Sequence, residues 1–273
     1  MKHYIGYSFP LTGKDRSPAL IPDDHLREYF LPPFRAAVKA GAQTVMVNSG
    51  EVNGVPAHGS KYLLTDVLRG ELGFKGVIVS DWEDVIRLHT WHKTADSPAE
   101  AVRQAVDAGL DMSMVPLDYS FFKLLKQLVK AGKVSERRIN ESVRRILQLK
   151  ADVGLFQNPY IEPETAGQFG RPEYQNVALA AAEEALTLLK NDGNLLPLPK
   201  SAKILVTGPG AKSISALHGC WSFTWQGTDE TVYPKCALTI AQNSAFTEHY
   251  KNGEEGTCAH YEGDGCPNED KPA

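Results

Sequence analysis

Three times within the first 115 residues, a segment with apolar residues at helical spacing passes through a glycine into a short, continuous apolar run. DDHLREYFLPPFRAAVKAG (23–41) opens on aspartates suited to capping a helix and closes on Gly41, and the β-branched run QTVMVNS (43–49) follows. KYLLTDVLRGELGF (61–74) stops at Gly73 before GVIVS (76–80). SPAEAVRQAVDAG (97–109) starts with a serine cap and a proline at the first helical position, ends on Gly109 and leads into LDMSMV (110–115). The strands are too apolar to leave one face in water. Alternating helices and doubly buried strands predict an α/β fold with a parallel sheet covered by helices.

Composition excludes several classes. Lysine and arginine (29) are interspersed with aspartate and glutamate (33), giving a net charge of −4 without the basic block a nucleic-acid binder needs. No apolar run of about 18 residues occurs, so no membrane span is expected, and MKHYIGYSFP lacks the apolar core of a signal peptide. Cys220, Cys236, Cys258 and Cys266 show no CxxC spacing or paired histidines, which argues against a metal site; their pairing in an oxidising compartment stays open. TGPGAKS (207–213) has neither phosphate-loop spacing. VSERRINESVRRILQLK (134–150), with Ile, Val and Leu at helical spacing and arginines among glutamates, predicts a helix on the outside of the fold.

In α/β barrels and doubly wound sheets the chemistry sits at the carboxyl ends of the strands. Ser80, Asp81 and Trp82 end one strand, Asn48 and Ser49 another, and Met114 lies near the end of the third. Asp81 also suits the N-cap of a following helix, and Trp82 a core anchor. A carboxylate beside an indole at a strand end also suits a sugar, whose apolar face stacks on aromatic rings.

Together GFKGVIVSDWEDV, KHYIGYSFPLTGKDRSP, AGLDMSMVP and ALAAAEEALTLLKNDGNLLPL resemble glycoside hydrolase family 3, the β-glucosidases, β-xylosidases and exo-glucanases. The resemblance covers residues 2–227, and WSFTWQG (221–227) is similar to the bacterial β-glucosidase branch. It implies that Asp81 is the catalytic nucleophile of a retaining mechanism, that Lys2 and His3 grip sugar hydroxyls, that Trp82 helps form the sugar subsite, and that Met114 belongs to the pocket wall. Asn48, Ser49 and Glu51 follow the strand whose end lines the pocket in relatives, although some exo-glucanases carry tyrosine in place of Ser49. Asp84, His89 and His92 fit a solvated helix face. The resemblance further implies β-linked oligosaccharides or aryl β-glucosides as substrates, no cofactor, and a periplasmic or secreted full-length protein. β-Xylosidase is the alternative activity, and a sugar-binding remnant without turnover the alternative outside enzymes. The triplet of the family's β-N-acetylglucosaminidases is lacking.

The expected architecture is the C-terminal half of a (β/α)8 TIM-like barrel (1–157), a linker rich in Pro and Gly (158–174) and the start of an α/β sandwich domain, with a helix over 175–190 and the strand KILVTGP (203–209), ending in an irregular tail (175–273). In relatives an acid/base glutamate comes from a later loop of that second domain, and no glutamate from Glu230 to Glu269 has its surroundings. Residues 1–273 by themselves are therefore expected to be nearly inactive, with sheet edges that favour aggregation.

Overall fold

The computed structural model describes residues 1–115, 117–199 and 201–203, with isolated positions 213, 215, 216, 220, 221 and 225 after them. The chain divides into two units, Met1–Ile161 and Glu162–Ala273. Most of the strand expected at 203–209, most of WSFTWQG, and the tail with Cys236, Cys258 and Cys266 lie outside the described residues.

In the first unit the strands are β1 (Thr44–Met46), β2 (Glu51–Val52), β3 (Val55–Pro56), β4 (Val77–Trp82) and β5 (Met112–Met114). β1, β4 and β5 form a parallel sheet in that order, with Val45 opposite Ile78 and Val79 opposite Met112. Tyr4 adds a parallel bridge to Val47 on the other flank of β1. Spatial order thus follows chain order, as in a barrel wall, with no reversal of the doubly wound kind. Gly76 is required where β4 begins, because a Cβ there would stand 2.0 Å from the Gln43 carbonyl oxygen.

The expected first helix is helical from Asp23 to Lys39 but not uniformly α. Leu26–Phe30 is a π turn, and the α-helix resumes at Leu31–Lys39 with prolines in its first turn. Pro32 and Pro33 cannot donate to the preceding turn, and a widened turn accommodates that loss. The second helix, Tyr62–Glu71, is also π-type, with Leu72 N–H reaching back to the Val67 carbonyl at 2.9 Å. Pro98–Ala108 is the expected α-helix; Ser97 accepts from the Glu100 N–H, and Gly109 at φ 123° ends it. Leu64, Leu68, Ala101 and Ala105 from these helices meet Val45 and Ile78 in one core.

Helix Glu136–Asp152 packs on the outside as expected, but a different face does the packing. Arg138, Ser142 and Arg145, spaced i, i+4, i+7 on one face, converge on Asp111, while Val143 and Leu147 are 45% and 48% exposed. The Asp111 side chain is fully buried just before β5. It accepts from Arg69 at 2.5 Å, Ser142 at 2.7 Å, Arg145 at 2.9 Å, Arg138 at 3.5 Å and the Ile78 N–H at 3.0 Å. Burial pulls the Arg69 guanidinium down to about 10, with Asp111 opposing the shift. One carboxylate thereby ties the start of β4 and the start of β5 to two helices.

The second unit contains a 3-10 helix, Pro163–Gln168, within the stretch expected as linker, and an α-helix, Pro172–Ala185. The sequence places that helix at 175–190; it starts three residues earlier, with proline in its first turn, and stops where Leu186 turns extended.

Candidate active site

β4 carries the site at its carboxyl end. Ile78 and Ser80 are fully buried, Asp81 is half-buried and Trp82 is 48% exposed, so the strand passes from core to surface over four residues. Its pairing with β5 is irregular between Val79 and Trp82, because Val79 faces Met112 while Trp82 faces Met114. Ser80 fills this bulge: its hydroxyl accepts from the Met114 N–H at 2.7 Å and donates to the Asp81 carbonyl at 2.8 Å. Bulges re-aim side chains, and here the affected residue is Asp81. Glu83, in the left-handed region at φ 59°, then turns the chain into helix Asp84–Thr90. Asp81 does not cap that helix.

The Asp81 carboxylate is held on both oxygens. Oδ1 accepts from the Trp82 N–H at 2.6 Å and Oδ2 from the Ser49 hydroxyl at 2.9 Å, and His3 Nε2 lies 3.7 Å from Oδ2. Burial pushes the group upward, but the two donors, with the charges of His3 and Arg16, outweigh it and hold Asp81 below the usual carboxylate value. Burial lowers His3, against the pull of Asp81. The His3 ring lies 4.8 Å from that of Tyr7. An ionised carboxylate beside an exposed indole and an imidazole is equipped to attack an electrophilic carbon of a bound ligand.

The structure thus brings His3, Ser49, Asp81 and Trp82 together, and it joins Met114 to them through the backbone. Lys2 precedes His3 and has an exposed side chain. Ser49 is 3% exposed and spends its proton on Asp81, so it orients a carboxylate and does not line open space. Five neighbours depart from the sequence expectation. Asn48 is buried and staples the chain, donating to the Ile5 carbonyl and accepting from the Gly50 N–H, both at 2.7 Å. Asp84 is 2% exposed and not on a solvated face; Arg87 pairs with it at 2.6 Å, and burial raises its pKa against the pull of Ser49 and Arg87. His92 and Glu51 pair at 2.7 Å, and His89 Nδ1 lies 2.9 Å from the Ala95 carbonyl oxygen. The Asn48 and His92–Glu51 contacts follow from chain reversals that helical periodicity does not encode, whereas Asp84 and Arg87 are an i, i+3 pair of one helix.

Sequence reasoning passed over His58. It lies in the short 3-10 helix Ala57–Gly59 after the β2–β3 hairpin, is 2% exposed, and its Nε2 accepts from the Asp81 N–H at 3.1 Å. The signal for the hairpin is the Asn53-Gly54 pair between Val52 and Val55, with φ of 53° and 77°, as a two-residue turn requires.

Residues 1–149 match the model of the glycosyl hydrolase family 3 N-terminal domain. A lysosomal β-glucosidase of Dictyostelium discoideum is 54% identical over 234 residues, covering 84% of this chain and 28% of that protein. A periplasmic β-glucosidase of Salmonella typhimurium is 38% identical over 232 residues, covering 81% of this chain and 29% of that protein. Among solved structures, a β-glucosidase from Listeria innocua in complex with glucose superposes with a TM-score of 0.75 at 35% identity, covering 88% of this chain and 32% of that one. The chain therefore spans under a third of the length of each relative. The (β/α)8-type fold expected for its first unit agrees with these matches, and the chain belongs to glycosyl hydrolase family 3.

Proposed function

We propose that this chain carries the nucleophile half of a retaining, exo-acting β-glucosidase, with Asp81 as nucleophile. The observation that carries the reading is a carboxylate kept ionised by the Trp82 N–H and the Ser49 hydroxyl, at the end of a barrel strand, beside an exposed indole. Asp81 attacks the anomeric carbon of a terminal, non-reducing β-D-glucosyl residue as the leaving oxygen takes a proton. Water then releases glucose from the glycosyl-enzyme with retained configuration. Trp82 offers its face to the sugar ring, and Lys2 and His3 hold its hydroxyls. The names of the relatives from Dictyostelium and Salmonella support both the activity and a site of action outside the cytosol, periplasmic or secreted.

No acid/base residue is assigned among the residues of this chain. Residues 1–273 alone are accordingly expected to act at best on glucosides with activated leaving groups. β-Linked gluco-oligosaccharides and aryl β-glucosides are the substrates, and β-xylosides the competing class.

The test is incubation of the full-length enzyme with a 2-deoxy-2-fluoro-β-glucoside bearing an activated leaving group, followed by mass spectrometry of the peptide containing Asp81. A fluoroglucosyl ester on Asp81 supports the reading; inactivation with the label on another carboxylate, or none, overturns it. Comparing kcat/KM for an aryl β-glucoside and the matching β-xyloside settles the sugar, since discrimination is a ratio of those constants. A preference for the xyloside of about tenfold or more reverses that part of the assignment.

A further inference from the structure

We infer that His58 is a positioning residue for the nucleophile, acting through the main chain of Asp81 as a neutral hydrogen-bond acceptor. This rests on the reading of Asp81 as nucleophile and extends it to a residue that never touches the sugar.

The argument begins with a backbone group that has outrun its sheet. β1 ends at Met46, and the last main-chain bond between this strand and β4 runs from the Val47 N–H to the Val79 carbonyl at 3.1 Å. Two residues on, the Asp81 N–H points past the end of β1. A buried N–H without an acceptor is costly, so the position needs a partner. His58 Nε2 provides it from 3.1 Å, on a ring 2% exposed.

The donor dictates the state of the ring. An imidazole that accepts at Nε2 carries its proton on Nδ1 and is neutral. Nδ1 lies 3.9 Å from Asp84 Oδ2, a buried oxygen without a hydrogen-bond partner. Asp84 is in turn held by Arg87 through its other oxygen at 2.6 Å. Buried Asp84, paired with Arg87, thus stands behind the ring whose other nitrogen accepts from the Asp81 peptide. Ser49 and the Trp82 N–H fix the carboxylate oxygens, while His58 fixes the peptide that carries them. The ring is the acceptor that a longer β1 would otherwise supply, delivered instead by the turn after the hairpin.

In the full-length enzyme His58→Leu removes the acceptor and His58→Gln keeps one, because a glutamine amide oxygen reaches the place of Nε2. Displacing a nucleophile by a fraction of an ångström to one ångström costs up to about 10²-fold. The rate constant for labelling of Asp81 by the fluoroglucoside is therefore expected to fall 10- to 100-fold on the order-of-magnitude scale in His58→Leu, with the inhibitor dissociation constant changed by less than about threefold. His58→Gln is expected to recover most of the rate. Equal labelling rates in the parent and His58→Leu, or a loss in His58→Leu that His58→Gln does not recover, overturn the inference while the nucleophile reading stands. A parent that is not labelled on Asp81 overturns both. Where His58→Leu does not fold, the imidazole ¹⁵N spectrum of the parent decides. A neutral ring protonated on Nδ1, with Nε2 coupled to the Asp81 amide, supports the inference, and a ring protonated on Nε2 overturns it.

Discussion

The Ser49 hydroxyl stands 2.9 Å from Oδ2 of Asp81, linking the end of one barrel strand to the end of the next. A hydrogen bond to a carboxylate contributes about 1.5–3 kcal/mol, which corresponds to a pKa change of about one to two units. Asp81 is held below the usual carboxylate value by such donors against its burial, and in the proposed mechanism it acts as the anion. Activity is therefore retained above its pKa and lost as pH falls through it. Ser49→Ala is expected to move the acidic limb of the kcat/KM profile upward by about one unit. An acidic limb that does not move would show that Ser49 has no hold on the nucleophile.

Asp81→Asn preserves the shape of the side chain and cannot form the ester. We expect kcat to fall on the order of 10⁴-fold while the thermal transition stays within a few degrees of the parent, since a residue acting in covalent catalysis costs rate more than stability. Steady-state assay and calorimetry of the purified variant check both halves. A variant that keeps parental kcat removes Asp81 from the mechanism.

Asp111 is expected to behave in the opposite way. Its side chain is fully buried among Arg69, Arg138 and Arg145, and removing one partner of a buried ionic cluster costs about 3–5 kcal/mol. Asp111→Ala should lower the denaturation midpoint accordingly, and at temperatures where it stays folded it should label Asp81 at the parental rate. A loss of no more than about 1 kcal/mol would mean that the cluster contributes as little as a surface pair.

His58 gives stability a pH dependence of known sign. Burial pushes its imidazole down to about 3, from 6.5 in the unfolded chain, opposed by Asp81 and reinforced by His92 and Arg87. Between those values the unfolded state binds a proton that the folded state refuses, so stability falls as pH drops below 6.5, by up to about 1.4 kcal/mol per unit. His3, also lowered by burial, adds to the slope; Asp84, raised by burial, subtracts from it at lower pH. Melting temperatures measured from pH 7 to pH 4 should show the decline, and His58→Gln should flatten it. Parallel curves for the two proteins would mean that His58 titrates normally.

The sequence carried the parts of the fold that depend on periodicity and capping. Ser97 caps its helix as its position before Pro98 implied, and VIVS is a largely buried strand because three of its four residues are apolar and β-branched. It concealed what depends on chain reversal. Helix Ser120–Lys130, absent from the sequence reading, packs through Phe121, Leu124, Leu125 and Leu128; Asp118, which accepts from the Ser120 N–H at 2.7 Å, is the sequence signal that was passed over. The roles given to Asp81, Trp82 and His3 came from the resemblance of their motifs to the family, because by pattern alone Asp81 equally suits a helix cap and Trp82 a core anchor. His58 was not legible, because one histidine after a hairpin says nothing of which backbone amide lies behind it. Asp84 was misjudged for a related reason: a charged residue in a helix is usually solvated, and only the Arg87 partner and the turn at Glu83 bury it.

The arginine cluster on Asp111 grips the amino ends of β4 and β5, while Asp81, Trp82 and Met114 sit at their carboxyl ends. For directed evolution this separates two kinds of position. A library randomising exposed positions at those carboxyl ends, Trp82 among them, leaves this foundation unchanged, so most members should remain expressible and can be screened for rate alone. A library that includes Asp111, Arg69 or Arg145 selects first for solubility, and its hits report on the scaffold before they report on the sugar.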